Sequence, residues 1–319
     1  MSDLPIAKQV LEYVFRYRRT MTADDPCADN PCDTCYSVHL PKVRAAVERG
    51  EPVHFLILAF PAKSPNHRKV LGELPDMAER VAIEFLQSFC DHIGGFYPPG
   101  ARVTICSDGH VFSDLVGVRD DAVTAYRDEL AKMIVNTGGQ SIDLYSLDDA
   151  FPGDLTYDEM RERLVAGYAL SLEELRAQVR TDDDRRALFN GIHRFLFEDQ
   201  SVLHPHLSRT RVREDCKELA YHVIRRSDAW STLVAGEHPG GVRLSIHPQP
   251  CHGQKIGFHL AKTRDNWLTP WHGVALDDGT SVTLVKRSEA ERLNASLVWR
   301  HARPSHFVAP HLLLGKGTS

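Results

Sequence analysis

Three stretches of the chain concentrate side chains that bind anions and move protons. Phe60-Pro61-Ala62-Lys63-Ser64-Pro65-Asn66-His67-Arg68-Lys69 carries three cations (Lys63, Arg68, Lys69), the Ser64 hydroxyl and the Asn66 amide. That donor set suits a phosphate or a carboxylate. Ser107-Asp108-Gly109-His110-Val111-Phe112-Ser113-Asp114 offers Asp108 and His110 as an acid–base pair and Asp114 as a further substrate contact. Gly109 lets the backbone turn there or approach a ligand closely. In Arg243-Leu244-Ser245-Ile246-His247-Pro248-Gln249-Pro250, strand alternation puts Arg243, Ser245 and His247 on one face and Leu244 and Ile246 on the other. Such a polar face either lines a pocket or meets solvent, and a core of this size favours the pocket. Lys255 follows, then His272 in Thr269-Pro270-Trp271-His272-Gly273. Each stretch also has a plain reading. Lysine-rich loops are commonly solvated, Asp-Gly commonly just turns the chain, and Trp271 and His272 are residues that often pack in a core.

Metal and cofactor motifs are sparse. Cys27, Cys32 and Cys35, followed by His39, have the residue types of a zinc site. There is one C-x-x-C and no second, so an ordinary loop cluster with no bound metal is the expectation. Seventeen histidines include no H-E-x-x-H and no His-x-Asp/Glu that would begin an iron facial triad. G-x-G-x-x-G, G-x-x-x-x-G-K-[ST] and G-x-S-x-G are absent too. NAD, P-loop and α/β-hydrolase chemistry are therefore unsupported.

The elements that would position these residues alternate. Val53–Ala59, Arg102–Cys106 and Ser141–Tyr145 read as strands, with helices over 76–92 and 119–136 between them. Asp76 with Glu79 three residues on forms a capping box. A short helix opens at Pro41 and stops at Gly50. This spacing argues for right-handed βαβ units and a parallel sheet. Ligands of such sheets bind beyond the carboxyl ends of the strands, where the stretches 60–69 and 107–114 fall. Residues 150–226 read as mostly helical. From about 230 onward short β-prone runs alternate with Gly, Pro and Asn, and Asp277-Asp278-Gly279 is a hairpin turn signal. The expected fold is α/β: a Rossmann-like parallel sheet core over 1–149, a helical insertion over 150–228, and a β-rich C-terminal part over 229–319 completing one active site.

The chain of 319 residues is 42% hydrophobic and 25% charged, ordinary for a globular protein. Its formal charge of −5 gives no electrostatic footprint for nucleic acid. No apolar run is long enough to span a membrane, and Asp3, Lys8, Glu12 and Arg16 interrupt the N-terminus as a signal sequence. Seven cysteines, an odd number, fit a reducing cytoplasm.

The segments FPAKSPN (60–66), SDGHVFSDL (107–115), RLSIHPQ (243–249) and TPWHG (269–273), in that order, resemble the pyoverdine/dityrosine biosynthesis family. PCDTCYSVHLPKV (31–43) and GEPVHF (50–55) are similar to it too. Bacterial members include isocyanide (isonitrile) synthases of the PvcA type. The resemblance implies an enzyme joining L-tyrosine, or L-tryptophan, to ribulose 5-phosphate without metal or redox cofactor. In that scheme the amine condenses with the C2 ketone. Proton transfers and carbon–carbon cleavages then leave C2 as the isonitrile carbon. An iron/2-oxoglutarate oxygenase acting on the isonitrile is the implied pathway partner. Set against that chemistry, Lys63, Asp108, His110, His247 and His272 are the catalytic candidates. Ser64, Asn66, Arg68, Asp114, Arg243, Ser245 and Lys255 are the substrate-binding candidates. Tyrosine is the favoured amino acid. The alternatives are a formyl-tyrosine-forming relative and a sugar-phosphate aldolase or isomerase using a Lys63 Schiff base.

Overall fold

The computed structural model describes residues 3–22, 25–28 and 30–309. It opens with α1 (Asp3–Phe15) and α2 (Asp33–Arg49), followed by β1 (Val53–Leu58), α3 (Met77–Phe96) and β2 (Ala101–Cys106). Next come α4 (Gly109–Val116), α5 (Asp120–Asn136), β3 (Ile142–Tyr145) and the single turn α6 (Leu147–Ala150). The helical insertion comprises α7 (Tyr157–Tyr168), α8 (Leu172–Thr181), α9 (Asp183–Leu203) and α10 (Arg209–Glu237). Thereafter come β4 (Val242–Ser245), β5 (Ile256–Gly257), a 3-10 turn over Pro270–His272, β6 (Val274–Asp277), β7 (Val282–Val285), α11 (Arg287–Arg292), β8 (Ser296–Arg300) and β9 (Arg303–Val308).

The main sheet has the order β3-β2-β1-β4-β5, with every pairing parallel. Phe55, Ile57, Val103, Ile105, Val242 and Leu244 point to one face, packed against α1, α2, α3 and α5. Leu56 and Cys106 point to the other, under Trp230 and Leu233 of α10. Both faces of a parallel sheet are thus covered, as its near-continuous apolar strands require. The chain steps outward from β1 through β2 to β3 and then crosses back to β4 on the other side of β1, so the switch point lies between β1 and β4. A second, mixed sheet, β7-β6-β9-β8, packs beside α3 through Ala275, Leu284 and Ala78. No helix among the described residues is long and apolar enough to cross a membrane.

The Asp76–Glu79 capping box forms at the start of α3. The Asp277-Asp278-Gly279 turn joins β6 to β7, with Gly279 at φ +80°. Other expectations change. The helix expected from Pro41 begins at Asp33 and carries Pro41 inside it. Burial of Cys35, His39 and Val43 on one face holds that helix despite the missing amide. The helix expected over 76–92 continues through Gly94-Gly95, and α3 runs on to Phe96. The stretch after β2 is not a loop but α4, with Val111 in the core under α10. The first β-prone runs beyond residue 230 do not stand apart. They become β4 and β5 and extend the parallel sheet from β1.

Candidate active site

The loop after β1, the start of α4 after β2 and the loop after β4 converge at the switch point, and close backbone approach holds them there. Phe60 leaves β1 at φ +57°, a left-handed conformation unusual for a bulky residue. Its carbonyl accepts the Ser107 hydroxyl at 3.0 Å, and its ring packs 5.1 Å from Trp271. A Cβ on Gly109 would sit 2.0 Å from the Pro61 carbonyl oxygen. Glycine is needed there so that the first turn of α4 can touch the loop after β1.

Two cations stand at this edge with no salt-bridge partner among the described residues, the Asp228 carboxylate acting on Lys255 only from a distance. Arg243 on β4 is held by the Ser231 hydroxyl of α10, and its Nε has no partner. Lys255, just before β5, has no carboxylate within ion-pair distance among the described residues, and neither has Arg243. Burial, then the Arg243 guanidinium, lowers the Lys255 ammonium to about 8. Burial also drops the His247 imidazole to about 4, Arg19 and Lys255 adding to the effect, and its Nδ1 is unpartnered. His272 falls well below its usual range through burial and the fields of Lys69, His247 and Lys63. Its Nδ1 lies 3.0 Å from the Thr269 hydroxyl, and its ring is 4.7 Å from that of Phe195. Asp108, at the tip of β2, is driven up to about 7 by burial, and its Oδ1 has no partner. The Cys106 thiol between them feels both Asp108 and Arg243. The structure therefore gathers Arg243, Lys255, His247, His272 and Asp108 along one edge, with a surplus of positive charge. Such an arrangement has the chemistry to hold an anion and to exchange protons between neutral imidazoles and a carboxyl poised near neutrality.

The other sequence candidates are committed elsewhere. Lys63 is 3% exposed, with its ammonium 2.9 Å from Asp76 and 2.7 Å from Glu79. Burial alone would lower its pKa, but the two carboxylates raise it. A protonated, doubly paired lysine is no Schiff-base nucleophile, so the aldolase reading loses its residue. One ammonium does not neutralise both carboxylates, and burial pushes Glu79 up to about 7. Ser64 and Asn66 donate to the buried Asp199 of α9 at 3.0 and 3.2 Å, and Lys69 pairs with the same carboxylate at 2.7 Å. They fix the loop instead of presenting free donors. Arg68 is exposed. The His110 ring is stacked 3.7 Å from that of Tyr157, and its Nε2 meets the Asp120 carbonyl and the Thr124 hydroxyl. It joins α4 to α5 and α7 and makes no pair with Asp108. Asp114 binds Arg226 of α10, 2.9 Å from its Nη2. The Ser245 hydroxyl accepts the His247 amide at 3.1 Å and shapes the turn that aims His247.

Three positioning residues escaped the sequence reading. Arg19 is 2% exposed and donates to the Ile246 carbonyl at 2.5 Å, the Leu268 carbonyl at 2.7 Å and His259 Nδ1 at 3.1 Å. One guanidinium thus clamps the loops that carry His247 and His272. Asp199 does the same for the loop after β1. Cys251 lies against Cys32 and Cys35, whereas the expected fourth member beside them was His39. Nothing in the local sequence around Arg19, Asp199 or Cys251 signals these long-range contacts.

This parallel sheet, switch-point edge and set of motifs define an enzyme of the pyoverdine/dityrosine biosynthesis family. A family model described as "Pyoverdine/dityrosine biosynthesis protein" matches residues 43–298, and the chain belongs to that family. It is 49% identical over 303 residues to the L-tryptophan isonitrile synthase AmbI2 of Fischerella ambigua, covering 95% of this chain and 92% of that protein. It is 45% identical over 276 residues to the L-tyrosine isonitrile synthase of Pseudomonas aeruginosa, covering 86% and 84%. The crystal structure of PvcA from Pseudomonas aeruginosa superposes with a TM-score of 0.89 at 42% identity, over 95% of this chain and 99% of that one.

Proposed function

We propose that the chain is an isonitrile synthase acting on L-tryptophan or L-tyrosine, with C2 of ribulose 5-phosphate as the donated carbon. The observation that carries the sugar-phosphate half is the Arg243–Lys255 pair, two half-buried cations lacking a carboxylate partner at the switch point. A phosphate ester supplies the missing negative charge and accepts several donors at once. The relatives' names carry the aromatic amino acid and the isonitrile product.

The residues divide the work by charge. Arg243 and Lys255 hold the phosphate. His247 and His272, neutral at physiological pH, accept protons as the amine condenses with the C2 ketone and the sugar carbons are removed. Asp108, half-protonated near neutrality, returns protons to the oxygens that leave. Lys63 with Asp76 and Glu79, and Arg19 with Ile246 and Leu268, keep the loops bearing these groups in place.

Mass spectrometry of the purified protein mixed with ribulose 5-phosphate and either amino acid tests the reading. The expected product is the amino acid with its NH2 replaced by N≡C. A product heavier than that by one water would be the formamide and would move the chain to formyl-amino-acid synthesis. No conversion of either amino acid, with ribulose 5-phosphate still bound, would sink the isonitrile reading.

A further inference from the structure

Four thiols from two distant parts of the chain meet at one point. Cys27 lies between α1 and α2, Cys32 is the N-cap of α2, Cys35 stands in its first turn, and Cys251 lies in the connection from β4 to β5. Their Sγ atoms all lie within 4.8 Å of one another. Cys32 is 3.8 Å from Cys35 and 3.3 Å from Cys251, and Cys35 is 3.2 Å from Cys251. A tetrahedral ion bound by four thiolates at about 2.3 Å sets its sulfurs roughly 3.8 Å apart. Disulfides would divide these sulfurs into separate pairs, whereas a single ion draws all four, mutually close as they are, around one centre. The surroundings fit as well. Arg18 Nη1 donates to Cys35 Sγ at 3.3 Å and to the Cys27 carbonyl at 2.9 Å, and the Cys27 amide donates to Asp25 Oδ1 at 2.8 Å. Four thiolates around a divalent ion carry two net negative charges, and a guanidinium donating to sulfur offsets part of that charge.

We propose that Cys27, Cys32, Cys35 and Cys251 form a structural tetrathiolate site for zinc. Binding displaces the thiol protons, and a closed four-sulfur set leaves no open position for substrate. The ion's effect is mechanical. Cys251 lies between His247 and Lys255 in sequence, so the centre staples the connection carrying both onto the N-terminal helices. The site is independent of which reaction the enzyme performs.

The test is metal analysis of the whole chain, purified under reducing conditions and loaded with a small excess of zinc, then desalted. One zinc per chain is expected in the wild type, with a several-fold loss in Cys251→Ser. Cobalt loaded in place of zinc is expected to give a thiolate charge-transfer band and visible bands of a tetrahedral site. That measurement on the wild type keeps the proposal testable if the variant fails to fold. Zinc removal is expected to open the segment 246–255 to trypsin ahead of the rest of the chain. A wild-type chain that retains no zinc, gives an octahedral cobalt spectrum, or shows the same thiol reactivity and trypsin pattern with and without zinc overturns the proposal.

Discussion

The Arg243 guanidinium and the Lys255 ammonium, contributed at neighbouring strands β4 and β5, repel each other, and among the described residues neither has a carboxylate within ion-pair distance. Burial and that repulsion bring Lys255 down to about 8. Lys255 is therefore charged below about pH 8 and loses its charge above it. The KM for ribulose 5-phosphate is expected to climb as pH rises through 8, and Lys255→Arg, which stays protonated, is expected to flatten that limb. A KM that rises equally in the arginine variant would place the titrating group elsewhere.

Arg243→Ala removes a charge-assisted donor pair to the bound anion. Such bonds are worth about 1.5–3 kcal/mol, so the KM for the sugar phosphate should rise roughly ten- to hundred-fold. The KM for the amino acid should change far less. Steady-state kinetics with each substrate varied in turn separates the two effects, and an equal rise in both would remove Arg243 from the phosphate.

Asp108 and His110, neighbours in sequence, should behave differently. Asp108, raised to about 7 by burial, is protonated below that pH and charged above it. As the proton donor it gives a kcat/KM that falls as pH rises through about 7, and Asp108→Asn should erase that limb. His110 is locked against Tyr157, so His110→Gln should lower the melting temperature and leave the shape of the pH profile unchanged. A profile altered by His110→Gln would return that imidazole to the chemistry.

Lys63→Met leaves Asp76 and Glu79 buried without a counter-ion. Breaking a buried pair in this way costs about 3–5 kcal/mol, and thermal unfolding should show a large drop in melting temperature. Adding Asp76→Asn and Glu79→Gln to Lys63→Met removes the stranded charges and should recover most of that loss. A native melting temperature in Lys63→Met with turnover lost would make Lys63 a catalytic group after all.

Arg19→Lys is expected to lower kcat/KM by about ten-fold or more, because an ammonium cannot reproduce a planar fork that reaches three acceptors. The pH limbs of Asp108 and Lys255 should keep their midpoints. Wild-type kinetics in this variant would show that the loops bearing His247 and His272 hold their places without the clamp.

The legible parts of the molecule were those written in local pattern. Val53–Ala59 reads as a buried strand from its own residues, one residue beyond the observed β1, and Asp76 with Glu79 reads as a cap. Arg243, Ser245 and His247 stand out because strand alternation puts the three polar groups on one face. The missed parts depend on residues distant in sequence. Asp76 and Glu79 do double duty as the ion-pair partners of Lys63, which no cap motif reveals. Asp-Gly reads as a turn, yet Gly109 opens a helix because its bare Cα fits beneath the Pro61 carbonyl. Cys251 joins Cys32 only once β4 and β5 have brought the two ends of the chain together.

That β1 pairs with β4, with Phe55 opposite Val242, has a consequence for how the molecule is made. The central seam of the sheet cannot close until the ribosome has released the whole helical insertion, and contacts of such long range form slowly. Until then β1 carries a bare hydrogen-bonding edge, the kind of surface on which nascent chains aggregate. The cation pair and His247 arrive with that late strand, so a prematurely terminated chain ending within α10 would lack both the seam and its main anion-binding groups. Yield on expression should therefore respond to growth temperature and chaperone supply more sharply than the stability of the finished fold alone would suggest.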